Sequence, residues 1–83
     1  MLPTHQEIVQ QAEGILVMAH DRAMYAPVLA TAIAGRLNDA AHAMLYEPPA
    51  WEVLLAALKS DARYAVRDGV AGLPIVECAE IPE

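Results

Sequence analysis

The sequence predicts a mainly helical α+β fold, with three helices followed by a small C-terminal β-hairpin or edge strand. Two long segments repeat apolar residues at helical spacing, and two consecutive prolines separate them from a third, shorter helical segment. The last third of the chain contains β-branched residues bounded by glycines and a proline, which is typical of strands. We expect one small domain over residues 1–83, with helices at about 4–20, 26–45 and 50–60 and strands at about 63–66 and 73–78. An all-α fold is the alternative.

The first helix has a clear start and an end that is apolar on every side. Thr4 can cap the backbone and Glu7 can reach back to it, which together form a capping box. An apolar stripe at helical spacing follows, made of Ile8, Ala12, Ile15 and Ala19. Val17 and Met18 then fall among the polar positions, so residues 15–19 are apolar all round. Such a segment needs covering on all sides, either by later parts of the chain or by a partner.

The second and third helices are marked by prolines. Pro27 suits the first turn of the second helix, because the N–H that it lacks would have no helical partner there. One face of this helix should be buried, and it consists of Leu29, Ile33, Leu37, Ala40 and Met44. The short link to the first helix predicts an antiparallel helical hairpin. Pro48 ends the second helix and Pro49 can open the third, where we expect Trp51 to anchor the core.

The C-terminal part of the chain has two interpretations. Residues 61–69 either extend the third helix or form a strand and a turn, and the alternation around Tyr64 favours the strand. In both cases LPIVEC, residues 73–78, is the best strand candidate, and Pro74 indicates an edge strand or the start of one. Of Ile75 and Val76, one should face the core and the other a neighbour or solvent. The candidate interface residues are Val17, Met18, Leu73, Ile75 and Val76.

Composition and charge argue for contacts with proteins and against several other partners. Hydrophobic residues make up 57% of the chain, above the average of about 45–50%, so part of the apolar surface is expected to be covered by a partner. The net charge is −6 with only five Lys and Arg residues, which argues against direct nucleic-acid binding. No apolar run reaches the roughly 20 residues of a membrane-spanning helix, and the N-terminus lacks the features of a signal peptide. A single cysteine, Cys78, fits a reducing compartment, so we expect a cytoplasmic protein.

The sequence offers no strong catalytic or cofactor motif. Asp39 and His42 have the i, i+3 spacing of carboxylate–histidine metal sites, but they fall on the polar face of the second helix. Cys78 lies between acidic neighbours, which would disfavour the thiolate and so oppose nucleophilic catalysis. We therefore expect no enzyme activity, no metal and no cofactor. The alternative is a small metal- or ligand-binding helical bundle that uses Glu13, His20, Asp39 and His42.

The C-terminal third resembles the ends of short hypothetical proteins from phage and prophage-bearing genomes. Those proteins close with the pattern aromatic–Gly–(Leu/Ile)–Pro–Val–hydrophobic–acidic–x–x–Leu–Pro. The residues that match it are Gly72, Leu73, Pro74, Ile75, Val76, Glu77 and Pro82. Ala71 stands in place of the aromatic residue and Ile81 in place of the leucine. The resemblance implies a small accessory or anti-defence protein that acts by binding, and it supplies no catalytic residue.

Together these features predict a non-catalytic protein–protein interaction module. Its partner would be another protein, a second copy of the chain in a homodimer, or both. A phage-type accessory or inhibitor protein that binds a host protein complex is the specific form of this hypothesis.

Overall fold

A computed structural model describes residues 1–78 and has the predicted mainly helical α+β fold. The helices are α1 (His5–Val17), α2 (Ala26–Ala41) and α3 (Trp51–Lys59). The strands are β1 (Ala23–Tyr25), β2 (Tyr64–Asp68) and β3 (Pro74–Cys78). Short 3₁₀ turns at His20–Arg22 and Val70–Gly72 lead into β1 and β3. Helices α1 and α2 end earlier than their apolar patterns indicate, whereas α3 ends about where predicted and the predicted hairpin between β2 and β3 is present.

The helix starts follow the sequence closely. The side-chain oxygen of Thr4 accepts a hydrogen bond from the Glu7 N–H at 3.2 Å, and Glu7 Oε1 accepts one from the Thr4 N–H at 2.9 Å. This is the predicted capping box, which satisfies backbone donors that the first helical turn leaves unpaired. Pro27 lies in the first turn of α2, also as predicted.

The end of α2 corrects the predicted buried face of that helix. The helix stops at Ala41, and His42 follows it with a left-handed backbone, φ 53°. The side chain of Asn38 then holds the returning chain, since its Oδ1 accepts from the Tyr46 N–H at 2.7 Å and its Nδ2 donates to the Tyr46 carbonyl at 3.1 Å. Met44 therefore lies in a loop with 90% of its surface exposed, and Ala40 is exposed near the end of the helix, although the apolar stripe had placed both in the core.

The prediction that residues 73–78 form an edge strand is wrong. The sheet has the order β1-β3-β2, and β3 pairs antiparallel with both neighbours. Its second partner, β1, has three residues, too few to show a strand periodicity in the sequence. Pro74 is tolerated because it is the first residue of β3, a position where a strand can lack an N–H.

The sheet is covered by helices on one face. Burial alternates along β3, with Pro74, Val76 and Cys78 buried and Ile75 and Glu77 half-buried, as expected for side chains on opposite faces. The helices pack on the face of Val76, with α2 mainly against β1, α1 against β3 and α3 against β2. Val76 is 0% exposed, so its inclusion among the interface residues is also wrong: it is the side chain of the strand that faces the core.

The core lies between this inner face of the sheet and the three helices. Its largest fully buried side chains are Ile8, Leu16, Leu29, Ile33, Leu54, Leu58 and Val76. Trp51 does not anchor it, because the indole lies in the first turn of α3 and is 37% exposed, whereas Leu54 and Leu58 are fully buried. Among residues 1–78, no helix has both the length and the apolar character needed to cross a membrane.

Candidate interaction surfaces

Exposed apolar side chains gather where the N-terminus meets the loop after α2. The Glu47 N–H donates to the Met1 carbonyl at 2.9 Å, which places the start of the chain beside this loop. We call the apolar residues here the loop surface. They are Met1, Leu2, Met44 and Leu45, and each is more than half exposed. Because large apolar side chains usually lie in a core or at an interface, this surface is a candidate binding site.

Hydrogen bonds fix the loop surface on both long helices. Besides the paired hydrogen bonds between Asn38 and the Tyr46 backbone, the Tyr46 hydroxyl donates to Glu7 Oε2 at 3.0 Å. The pKa of Glu7 is lowered, first by the hydrogen bond from the Thr4 N–H and then by that from Tyr46, while the bond to Glu7 raises the pKa of Tyr46. The apolar side chains of the loop are thus presented by an anchored backbone, which reduces the entropy lost when a partner binds.

The predicted interface residues divide between two parts of the molecule. Val17 and Met18 end α1, with 56% and 86% of their surfaces exposed. Leu73 lies instead just before β3, where it is 38% exposed, and Ile75 lies within β3, where it is half-buried. These four predicted interface residues are thus at least partly exposed. They lie at two different elements of the fold, so they do not share one helix or strand.

Tyr25 is a neighbour of Ile75 that the sequence did not indicate. The two residues are paired across β1 and β3, and their side chains meet over Gly69. A Cβ atom on Gly69 would lie 2.7 Å from Tyr25 Cε1 and 2.9 Å from Ile75 Cδ1. These side chains lie on the outer face of the sheet, where Arg67 Nε also contacts Glu77 Oε1 at 2.6 Å. None of the three helices covers this face within residues 1–78.

A second polar cluster, centred on Arg63, was also missed from the sequence. Its guanidinium contacts Glu13 Oε2 at 2.7 Å and Asp61 Oδ2 at 2.9 Å, and so joins the turn before β2 to α1. Hydrogen bonds from Arg63 lower the pKa of Asp61, and those to Asp61 and Glu13 raise the pKa of Arg63. Beside it, the Tyr64 hydroxyl donates to the Val9 carbonyl at 2.8 Å, and burial raises the pKa of Tyr64 to about 12.

The structure separates the residues of the alternative metal-binding hypothesis. Asp39 and His42 line an open depression of about 380 Å³ at the end of α2. Glu13 is paired with Arg63, and His20 contacts Asp21 at 3.3 Å in the exposed turn after α1. Within the described chain, no three His, Cys, Asp or Glu side chains converge in a way that could hold a metal ion.

Comparisons with protein-family models, curated proteins and solved structures give no match for this chain. Its function must therefore be argued from its own residues.

Proposed function

We propose that the protein is a non-catalytic interaction module that binds another protein through the loop surface. The observation that carries the proposal is the exposure of Met44, at 90%, on a loop whose backbone is bonded to Asn38. A flexible, polarisable methionine adapts well to the surface of a partner. An anchored loop that holds such side chains in solvent is better suited to binding than to core packing.

The polar groups of the structure also support a binding role. The groups with displaced pKa values, which would be the first candidates for acid–base chemistry, are Glu7, Tyr46, Asp61, Arg63 and Tyr64. Four of them make hydrogen bonds that join one element of the fold to another or cap a helix, and Asp61 holds the guanidinium of Arg63 in the turn before β2. The displaced pKa values are thus accounted for by structural contacts.

The specific form of the proposal is a phage-type accessory or inhibitor protein that acts by occupying a surface of a host protein complex. Its support is the resemblance of the C-terminal third to short phage and prophage proteins. The net charge of −6 would favour a partner with a basic rim around an apolar contact.

The test is a quantitative capture experiment with variants that carry a lysine at one surface position. The immobilised wild-type chain and its variants are exposed to a lysate of a candidate host, and retained proteins are identified and then purified for titration. We expect Met44→Lys to weaken binding of the retained partner at least about tenfold, because a charge would be buried in an apolar contact. Ala40→Lys is the matched control, since it adds the same charge to an exposed position of α2.

A third variant, Met18→Lys, tests the other exposed apolar site at the end of α1. If only this variant loses the partner, the interface lies there and the loop surface is wrong. If all three variants bind as the wild type does, or no partner is retained, the proposal fails.

A further inference from the structure

The outer edge of β2 pairs with no other strand of residues 1–78. Gly69 and Leu73 form a hydrogen-bonded pair at the hairpin end of the β2–β3 ladder, since the Gly69 N–H donates to the Leu73 carbonyl at 2.8 Å. Along an antiparallel ladder, hydrogen-bonded pairs alternate with pairs whose backbone groups point outwards. In the observed register, Ala65 and Arg67 therefore direct their backbone groups towards β3. Those of Tyr64, Val66 and Asp68 point away from it. Of these outward groups, the Tyr64 N–H is already bonded to the Asp61 carbonyl, at 3.2 Å.

We propose that a second copy of this chain pairs antiparallel with the edge of β2, in a register centred on Val66. An unpaired edge is a template for strand addition, and two identical edges can satisfy each other about a two-fold axis. In this register the two Val66 residues exchange N–H and carbonyl groups. The Asp68 N–H of each copy reaches the Tyr64 carbonyl of the other. Four backbone hydrogen bonds result, and the bonded Tyr64 N–H is not needed.

Charge and pairing select this register over its neighbours. Centred on Val66, the register sets Arg67 opposite Ala65 of the other copy, so no like charges face each other. A register centred on Asp68 would oppose two carboxylates. One centred on Tyr64 would need its N–H, which is already used in the turn. A register centred on Ala65 would form only two backbone hydrogen bonds, because its other two need the Tyr64 N–H. One centred on Arg67 would set the two Arg67 side chains directly opposite each other.

The two-fold axis also keeps the helices of both copies on one side of a six-stranded sheet. It runs perpendicular to the sheet, and α3 lies over β2, so the two α3 helices become neighbours above the joined strands. Helix α3 carries Val53, which is 44% exposed, and Trp51. The inference goes beyond the proposed function, because neither the loop surface nor its partner takes part.

The experiment measures self-association and monomer stability in paired variants of Ala65. Sedimentation equilibrium of the wild type, in about 0.15 M salt to screen the net charge, should show reversible dimers of the 8.9 kDa chain. Ala65→Lys places a like charge opposite Arg67 of the other copy twice, and should raise the dimer Kd about tenfold. Within one copy the same lysine faces Glu77, an attractive pair, so the unfolding temperature measured at low concentration should be kept or raised.

The variant of opposite charge, Ala65→Glu, should change both the unfolding temperature and the dimer Kd in the opposite direction. Ala65→Glu should lower the unfolding temperature of the monomer, because it faces Glu77, and should lower the dimer Kd, because it faces Arg67 of the other copy. A general effect on folding would shift stability and association in the same direction for each variant. Asp68→Pro removes one outward N–H and should weaken the dimer at least about tenfold, whereas Asp68→Ala keeps that N–H and should dimerise.

Two outcomes overturn the inference. One is a wild-type chain that remains monomeric up to about 1 mM, a concentration at which even a weak pairing would be populated. The other is an Ala65→Lys variant that dimerises as strongly as the wild type. A monomeric chain that still loses its captured partner through Met44→Lys would leave the proposed function intact. A chain that dimerises as predicted but captures no partner through the loop surface would support this inference and contradict the proposed function.

Discussion

Gly69 shows how a single position without a side chain lets the hairpin close. Its backbone is extended, with φ −109°, so no left-handed conformation demands a glycine here. The constraint is space: a Cβ atom would lie 2.6 Å from the Leu73 carbonyl oxygen, 2.7 Å from Tyr25 Cε1 and 2.9 Å from Ile75 Cδ1. A side chain at this position would push the hairpin loop away from the outer face of the sheet.

We therefore expect Gly69→Ala to destabilise the protein by about 1–3 kcal/mol, the usual effect of inserting a methyl group into a filled space. Gly35→Ala is the matched control. Nothing lies within 4 Å of a Cβ atom at Gly35, which is in the exposed middle of α2. This variant should stabilise the protein by about 0.5–1 kcal/mol through helix propensity. Chemical denaturation of both variants measures the difference, and equal effects would contradict the close packing around Gly69.

Glu7 makes one part of the stability depend on pH. Its pKa lies below the ordinary value of 4.5, because Thr4 and Tyr46 donate to the carboxylate. A lowered folded-state pKa stabilises the protein fully above the unfolded value, and this contribution is lost as pH falls through the folded value. The variant Glu7→Gln cannot ionise: its amide oxygen can still accept from the Thr4 N–H, and its NH₂ group can donate to the Tyr46 hydroxyl oxygen. We expect the wild type to lose stability relative to Glu7→Gln as pH falls from about 5 to about 2 in parallel denaturation series.

At the scale of elements, helix starts could be predicted from the sequence, but the ends of α1 and α2 could not. The capping box of Thr4 and the proline in the first turn of α2 act through neighbouring residues, so a short stretch of sequence is enough to predict them. The end of α2 depends on Asn38 bonding the backbone of Tyr46, a contact across a loop that no periodicity contains. Strand β1 was missed for a similar reason, since three residues become a strand only when β3 lies beside them.

A pair of substitutions on the same predicted stripe tests where α2 stops contacting the core. Leu37 is 8% exposed, and Leu37→Ala should destabilise by about 2–5 kcal/mol, as burial of a large apolar side chain is lost. Met44 belongs to the same stripe in the sequence but is 90% exposed, so Met44→Ala should change the free energy of unfolding by less than about 0.5 kcal/mol. Similar losses in the two variants would mean that the helix continues into the core beyond Ala41.

The cap of α2 offers a stabilising substitution. His42 has φ 53°, a left-handed conformation that costs energy for any residue with a Cβ atom, and its side chain is exposed. We expect His42→Gly to stabilise the protein by about 0.5–1 kcal/mol in thermal or chemical unfolding, because glycine is the favoured residue at this position of a helix C-terminus. His42→Ala keeps the left-handed cost and should give no such gain. A loss of stability in His42→Gly would show that the histidine makes a contact that matters.

For the whole molecule, the candidate surfaces depend on which parts of the chain remain uncovered after folding. The apolar end of α1 was recognisable from Val17 and Met18, because no helical face could accommodate them. The loop surface was not, since Met44 fits a helical stripe in the sequence and becomes exposed only where Asn38 turns the chain. The edge of the sheet was assigned to the wrong strand, because strand order is a property of the assembled fold.

The central position of β3 leads to a prediction about the integrity of the fold. Removing residues 73–83 deletes the only strand that joins β1 to β2 within the described sheet, and with it the buried side chains of Val76 and Cys78. Had this segment been an edge strand, the three helices could have kept much of their structure. We expect instead that the truncated chain loses most of its helical circular dichroism signal and its cooperative thermal transition, because α1 loses the strand on which it packs and β2, which α3 covers, is no longer held in a sheet. A chain ending at Cys78 is the control: it retains every contact described above and should unfold cooperatively. Helicity in the shorter chain equal to that of the control would mean that the helices form a core of their own, and that β3 adds to a fold that is already complete.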